Sequence, residues 1–170
     1  MKKLAFVVAA LALALPAAAQ QTQTRTNIGL GVSLNLDLNS PTVEVYAPIG
    51  VGPNLRVEPS LGIRTVDGDG FSESDLTLGV GVFALKGTAT DFNMYFGGRL
   101  KLNFASEDNG VTDDSGVDLS LAGALGGEYF FMPKFSLGLE GQLGFYSASE
   151  VSGDASGFFT GGLGFLRMYF

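Results

Sequence analysis

From Asn27 the chain is apolar at every second position, Ile28, Leu30, Val32, Leu34, Leu36 and Leu38 alternating with Asn27, Gly29, Gly31, Ser33, Asn35 and Asp37. A two-residue period gives an extended strand with one greasy face and one small, hydrophilic face. The pattern returns about eight times along the chain. It predicts strands at Thr26 to Leu38, Thr42 to Pro48, Leu55 to Thr65, Asp75 to Leu85, Phe92 to Ala105, Gly116 to Phe130, Phe135 to Ala148 and Gly157 to Phe170. Most are near the nine to eleven residues that a tilted strand needs to cross a bilayer. Pro48 and Pro53 flank the end of the second strand, where a missing ladder donor makes it stop early or resume through Ile49 and Val51.

The apolar face is broad and the polar face narrow and glycine-rich. That arrangement argues for an all-β, eight-stranded antiparallel transmembrane barrel with lipid outside. A soluble β-sandwich would use the aromatic residues as core, and a lipocalin-like barrel would need an apolar lumen and a polar exterior. Many of the 25 glycines fall inside the alternating segments rather than between them, as a crowded lumen and tightly curled strands require.

The N-terminus follows a different rule. Lys2 and Lys3 precede an apolar run from Leu4 to Leu15, and Ala17, Ala18 and Ala19 form a small-residue cleavage site. Residues 1–19 are therefore expected to be a signal peptide, 20–25 a short N-terminal segment and 26–170 the barrel. The apolar run is too short for a spanning anchor, and no later run is long enough for a membrane helix. With no cysteine, neither a lipid-anchored N-terminus nor a disulfide framework is available.

With both chain ends on the periplasmic side, Val66 to Ser74, Ser106 to Ser115 and Ser149 to Ser156 become extracellular loops. Gly52 to Asn54, Lys86 to Asp91 and Phe131 to Lys134 become periplasmic turns. Aromatic residues then cluster at both rims: Phe92 and Phe104 at the ends of one strand, and Phe130, Phe131, Phe135 and Phe170 at the inner rim, as an aromatic girdle. Phe158, Phe159, Leu163 and Phe165 do not share one face with Phe170, which predicts a bulge near Leu166.

The closing segment GFLRMYF, with Phe170 terminal and Met168 and Leu166 at alternate positions, is similar to the C-terminal strand by which the outer-membrane assembly machinery recognises its clients. Together with the strand pattern, it resembles the eight-stranded OmpA/OmpX-type outer-membrane barrels from about Thr26 onward. The resemblance implies an outer-membrane location, surrounding lipid and lipopolysaccharide, contact with the assembly machinery during biogenesis, and a monomer.

The inward face carries Asp37, Glu44, Arg56, Glu58, Arg64, Arg99, Lys101, Asp118, Glu128, Glu140 and Arg167, with Gln142, Tyr46, Tyr95 and Tyr146 beside them. Strand direction sorts them by depth. Arg56, Glu58, Glu128 and Arg167 fall near the periplasmic end, Arg99, Glu140 and Gln142 near the middle, and Asp37, Glu44, Arg64, Lys101 and Asp118 near the outer end. Each layer holds both signs, which a filled lumen needs because an unpaired buried charge is costly. Such a network serves either as a plug or, if Arg99 exchanges acids, as a gate for water or small ions.

The outer loops contain Asp67, Asp69, Glu73, Glu107, Asp108, Asp113, Asp114, Glu150 and Asp154 and no Lys or Arg. Carboxylates massed at one end repel one another and attract counter-ions, so the loops are a candidate cation-binding or adhesive surface. The run DGDGFSE, Asp67 to Glu73, falls short of a calcium loop in length and in acidic positions, and no specific metal site is expected. The acidity argues against nucleic acid as a partner. No histidine or cysteine is present to supply a base, nucleophile or soft metal ligand, and Lys101 has no serine at motif spacing; neither an enzyme nor a cofactor is expected.

Overall fold

The computed structural model describes residues 28–35, 43–68, 71–108 and 113–170. The expected signal peptide, the 20–25 segment and Asp37 lie outside them. The described residues form β1 (Gly29–Asn35), β2 (Val43–Tyr46), β3 (Ile49–Gly50), β4 (Leu55–Gly68), β5 (Phe71–Ala89), β6 (Phe92–Asp108), β7 (Asp113–Met132), β8 (Phe135–Ser147) and β9 (Ser156–Tyr169). Each pairs antiparallel with its neighbours, β1 joins β9, and β2 joins β4, so the sheet closes on itself. β2 and β3 are one stave interrupted at Ala47 and Pro48. The Ala47 amide donates to the Pro59 carbonyl, and the Pro48 carbonyl accepts from Gly29, so the proline break leaves the ladder satisfied. The result is a closed eight-stranded all-β barrel.

Its geometry follows from the registers. Stepping across paired residues from Arg167 through Gly31, Tyr46, Ser60, Gly79, Lys101, Ser120 and Tyr146 returns to β9 at Gly157, ten residues from the start. Eight staves with a shear of ten tilt by about 40° and enclose a cylinder of about 8 Å radius, room for side chains and little more.

The outward face is the alternating apolar set: Leu30, Val32, Leu61, Leu78, Val80, Leu100, Leu102, Leu119, Leu139 and Leu143 are all exposed. Phe92, Tyr129, Phe131 and Phe170 ring the terminal end, where β1 begins and β9 ends. Phe104 and Phe158 lie toward the opposite end, where Phe145 packs edge-on against Phe158 with centroids 5.9 Å apart. Between Phe92 and Phe104 the tilted strand rises about 30 Å, the height of an apolar band with an aromatic girdle at each edge.

Four expectations change. Val66 to Ser74 and Ser106 to Ser115 are mostly strand: β4 and β5 pair out to Gly68 with Phe71, and β6 and β7 out to Asp108 with Asp113. Charged and hydroxyl side chains do not stop a ladder whose backbone groups find partners, so four staves continue beyond the apolar band. No bulge occurs near Leu166; β9 keeps one register against both β8 and β1, and Leu163 and Phe165 point inward. Phe130 is also inside, buried against Tyr169 with centroids 5.6 Å apart, and only Phe131 of that pair faces out. At the terminal end the turns are tighter than expected, β5 running to Ala89 and β7 to Met132.

Candidate functional site in the barrel lumen

Inward positions come from the other half of each alternation. At the terminal end Glu58 on β4, Glu128 on β7 and Arg167 on β9 are essentially inaccessible to solvent. Glu58 Oε1 lies 2.7 Å from both Arg56 Nε and Arg167 Nη2, at ion-pair distance but off the hydrogen-bond axis, while Oε2 accepts from Arg99 Nη2 at 2.8 Å. Glu128 accepts from Arg56 Nη1 at 2.7 Å, Arg167 Nη1 at 3.0 Å, Ser136 Oγ at 2.6 Å and the Tyr169 hydroxyl at 2.7 Å. Higher up, Glu140 accepts from Arg99 Nε at 2.6 Å, Gln142 Nε2 at 2.7 Å and the Tyr95 hydroxyl at 2.9 Å.

Three guanidinium groups and three carboxylates thus form one connected, electrically balanced cluster. Burying ions costs several kcal/mol each, on the order of what good geometry and multiple partners recover. Here Glu128 and Glu140 each accept from at least three donors, which meets that condition, while Glu58 accepts from Arg99 alone and faces Arg56 and Arg167 at ion-pair distance.

Aromatic rings fill the space between the charges. Tyr46, Phe83, Tyr95, Leu163 and Phe165 are buried together. Arg167 lies over the Phe165 ring at 3.9 Å, Arg99 over Phe83 at 4.7 Å and Arg56 over Tyr95 at 4.7 Å, a favourable placement for desolvated guanidinium groups. Glycine makes this packing possible. A Cβ at Gly126 would collide with the Tyr95 ring, and one at Gly31 with the Tyr46 ring.

The other end is different. Lys101 bonds to Glu44, and Arg64 Nη1 to Glu73 at 2.5 Å and Asp75 at 3.0 Å, in pairs that remain partly exposed. Asp118 accepts from the Ser149 amide at 2.7 Å, Ser149 Oγ at 2.8 Å and Ser152 Oγ at 2.7 Å, which holds the β8–β9 loop against the mouth. Two cavities of about 240 and 300 Å³ share Arg64, Asp75 and Asn103 in their walls.

Of the lumen residues named from sequence, Arg56, Glu58, Glu128 and Arg167 lie toward the terminal end, Arg99, Glu140 and Gln142 higher, and Glu44, Arg64, Lys101 and Asp118 toward the far end, while Asp37 lies outside the described residues. Tyr169, Ser136, Phe83, Leu163 and Phe165 were missed, although counting in twos from Arg167 places Tyr169, Phe165 and Leu163 inward. Of the acidic set, Glu73 joins Arg64, and Glu107 and Asp114 are exposed. Asp69 lies outside the described residues, as do the side chains of Asp67, Asp108 and Asp113. Among the described residues no group of three or more acidic, histidine or cysteine side chains could hold a metal ion.

Comparison with known proteins agrees with this architecture. The profile of the family described as "Outer membrane protein beta-barrel domain" matches residues 5–165. No curated protein matched the sequence. Among solved structures the chain is similar to Neisserial surface protein A, at 17% identity and a TM-score of 0.57 over 84% of this chain and 94% of that one. It is similar also to Ail, the attachment invasion locus protein of Yersinia pestis, in complex with the heparin analogue sucrose octasulfate, at 15% identity and a TM-score of 0.55 over 84% and 94%. The N-terminal β-barrel domain of Pseudomonas aeruginosa OprF gives 11% identity and a TM-score of 0.59 over 86% and 100%. At these identities the structures share the fold, and the family match, covering nearly the whole chain, makes this protein a member of the outer membrane protein beta-barrel domain family.

Proposed function

We propose that the protein is a structural, surface-exposed barrel of the outer membrane whose lumen is closed to solutes. The observation that carries the reading is the balanced cluster of Arg56, Glu58, Arg99, Glu128, Glu140 and Arg167, which with its aromatic neighbours fills the terminal half of the lumen. An ion passing through has to separate partners that are buried, and breaking a buried pair costs about 3–5 kcal/mol. Arg99 holds Glu58 and Glu140 at once, so a swap between acids leaves one carboxylate without its partner. That weighs against a gate built on Arg99 exchange.

In this reading the terminal end faces the periplasm and the tall hairpins face outward. The apolar band sits in lipid and lipopolysaccharide as a monomer, and the outward-facing Leu166, Met168 and Phe170 serve the assembly machinery. Catalysis, a cofactor and nucleic-acid binding are not part of the proposed role. Ail has been captured with a sulfated sugar. Here the exposed carboxylates Glu107 and Asp114 at the far end oppose such a polyanion.

Single-channel recording of the refolded protein in a planar bilayer tests the proposal. The expected trace is silent for the parent. Discrete openings that change on Arg99→Ala would replace this reading with a gated pore for water or small ions.

A further inference from the structure

We propose that Arg167 and Tyr46, clamped across Gly31, are a register lock that fixes the shear of the barrel at ten. The closing seam joins the first and last strands, and its outward face is poor at setting register. Side chains repeat every second residue, so a slip of β9 along β1 by two residues keeps every outward residue outside and every inward one inside. Outward, Leu30 would exchange Met168 for Leu166 or Phe170, all apolar. The backbone ladder is equally content in either register.

The interior is not. In the native register Gly31 pairs with Arg167 on one side and Tyr46 on the other, so the three residues form one row across β9, β1 and β2. Because Gly31 has no side chain, the Tyr46 ring lies over it, and its hydroxyl accepts from Arg167 Nε at 2.8 Å. The two remaining guanidinium nitrogens of Arg167 reach Glu128 Oε2 at 3.0 Å and Glu58 Oε1 at 2.7 Å across the lumen. One side chain on the last strand therefore ties β2, β4 and β7. A two-residue slip moves it about 7 Å along the seam, beyond the reach of all three partners at once, and leaves ions buried without compensation. The lock concerns assembly and is separate from whether the lumen conducts.

The chain has no cysteine, so paired cysteines report register directly. Leu30→Cys with Met168→Cys marks the native seam, and Leu30→Cys with Leu166→Cys or with Phe170→Cys marks the two slipped ones. Cα atoms of directly opposed residues lie within disulfide range, whereas slipped ones do not. In the parent only the native pair is expected to oxidise. In Arg167→Met the slipped pairs are expected to rise at least about tenfold, with matching loss of the native one. Should Arg167→Met not fold, Tyr46→Phe, which removes one hydrogen bond and no charge, is scored the same way. The native pair alone, in undiminished yield, in whichever of these variants folds would overturn the proposal.

Discussion

The two halves of the lumen are built from the same residue types and behave oppositely. In the terminal half, arginine and glutamate are buried, each touching several partners, with aromatic rings packed against the guanidinium groups. In the far half, Lys101 with Glu44 and Arg64 with Glu73 and Asp75 are simple, partly exposed pairs beside open cavities. Charge alone does not decide whether a barrel is sealed. What differs is the filler: Phe83, Tyr95, Phe165 and Tyr169 pack over glycine at one end, while Gly62, Thr77, Asn103 and Ala105 leave space at the other. Pairs that remain wet contribute about 0–1 kcal/mol, whereas buried ones are costly to break.

The largest effect is expected where a buried pair loses its charge. Glu128→Gln leaves Arg56 and Arg167 short of a counter-ion and should destabilise the barrel by about 3–5 kcal/mol, read as a lower urea midpoint for the fast-migrating, unboiled form on a gel. Glu73→Gln, which weakens a pair at the wet end, should shift that midpoint little.

Next comes a contrast between surfaces. Leu100→Arg places a charge in the middle of the apolar band and should cost about 2–4 kcal/mol, seen as a sharply reduced folding yield in lipid. Asn103→Arg enters the open half of the lumen and should cost less than about 1 kcal/mol. Equal yields would show that the inward and outward faces are wrongly assigned.

Overpacking sharpens the role of filler. Gly126→Ala drives a methyl into the Tyr95 ring and should cost about 1–3 kcal/mol. Gly123→Ala, three residues away, has only the Leu143 carbonyl at 3.8 Å and should be close to neutral. The smallest change concerns the mouth. Asp118→Ala removes three hydrogen bonds to the 149–152 turn; faster protease cleavage there is expected, with global stability within about 1 kcal/mol of the parent.

The outer surface was readable because lipid enforces a strict period of two, and Leu30 through Leu34 or Leu100 through Phe104 obey it without exception. Depth order in the lumen was readable for the same reason: once direction is fixed, position along a strand is height. The filler was not. Phe130 and Phe165 suggest rim aromatics or a bulge from sequence, because an aromatic in a barrel strand signals an interface unless its parity is counted from a fixed charge such as Arg167. The tall hairpins were missed because Ser, Gly and Asp suggest loops. Whether a strand continues there depends on its neighbour across the ladder, Thr65 with Ser74 or Glu107 with Asp114, which a single segment does not reveal.

The contrast between halves is tested most directly by single cysteines in this cysteine-free chain, attacked by a charged, membrane-impermeant thiol reagent. Thr77→Cys lies on the wall of the open half and Ala124→Cys among the aromatic filler. Thr77→Cys is expected to be modified at least about a hundredfold faster in the folded barrel, because the reagent's charge cannot follow into the desolvated layer. Comparable rates at the two positions would mean that water and ions reach the terminal half, and that the lumen is not sealed.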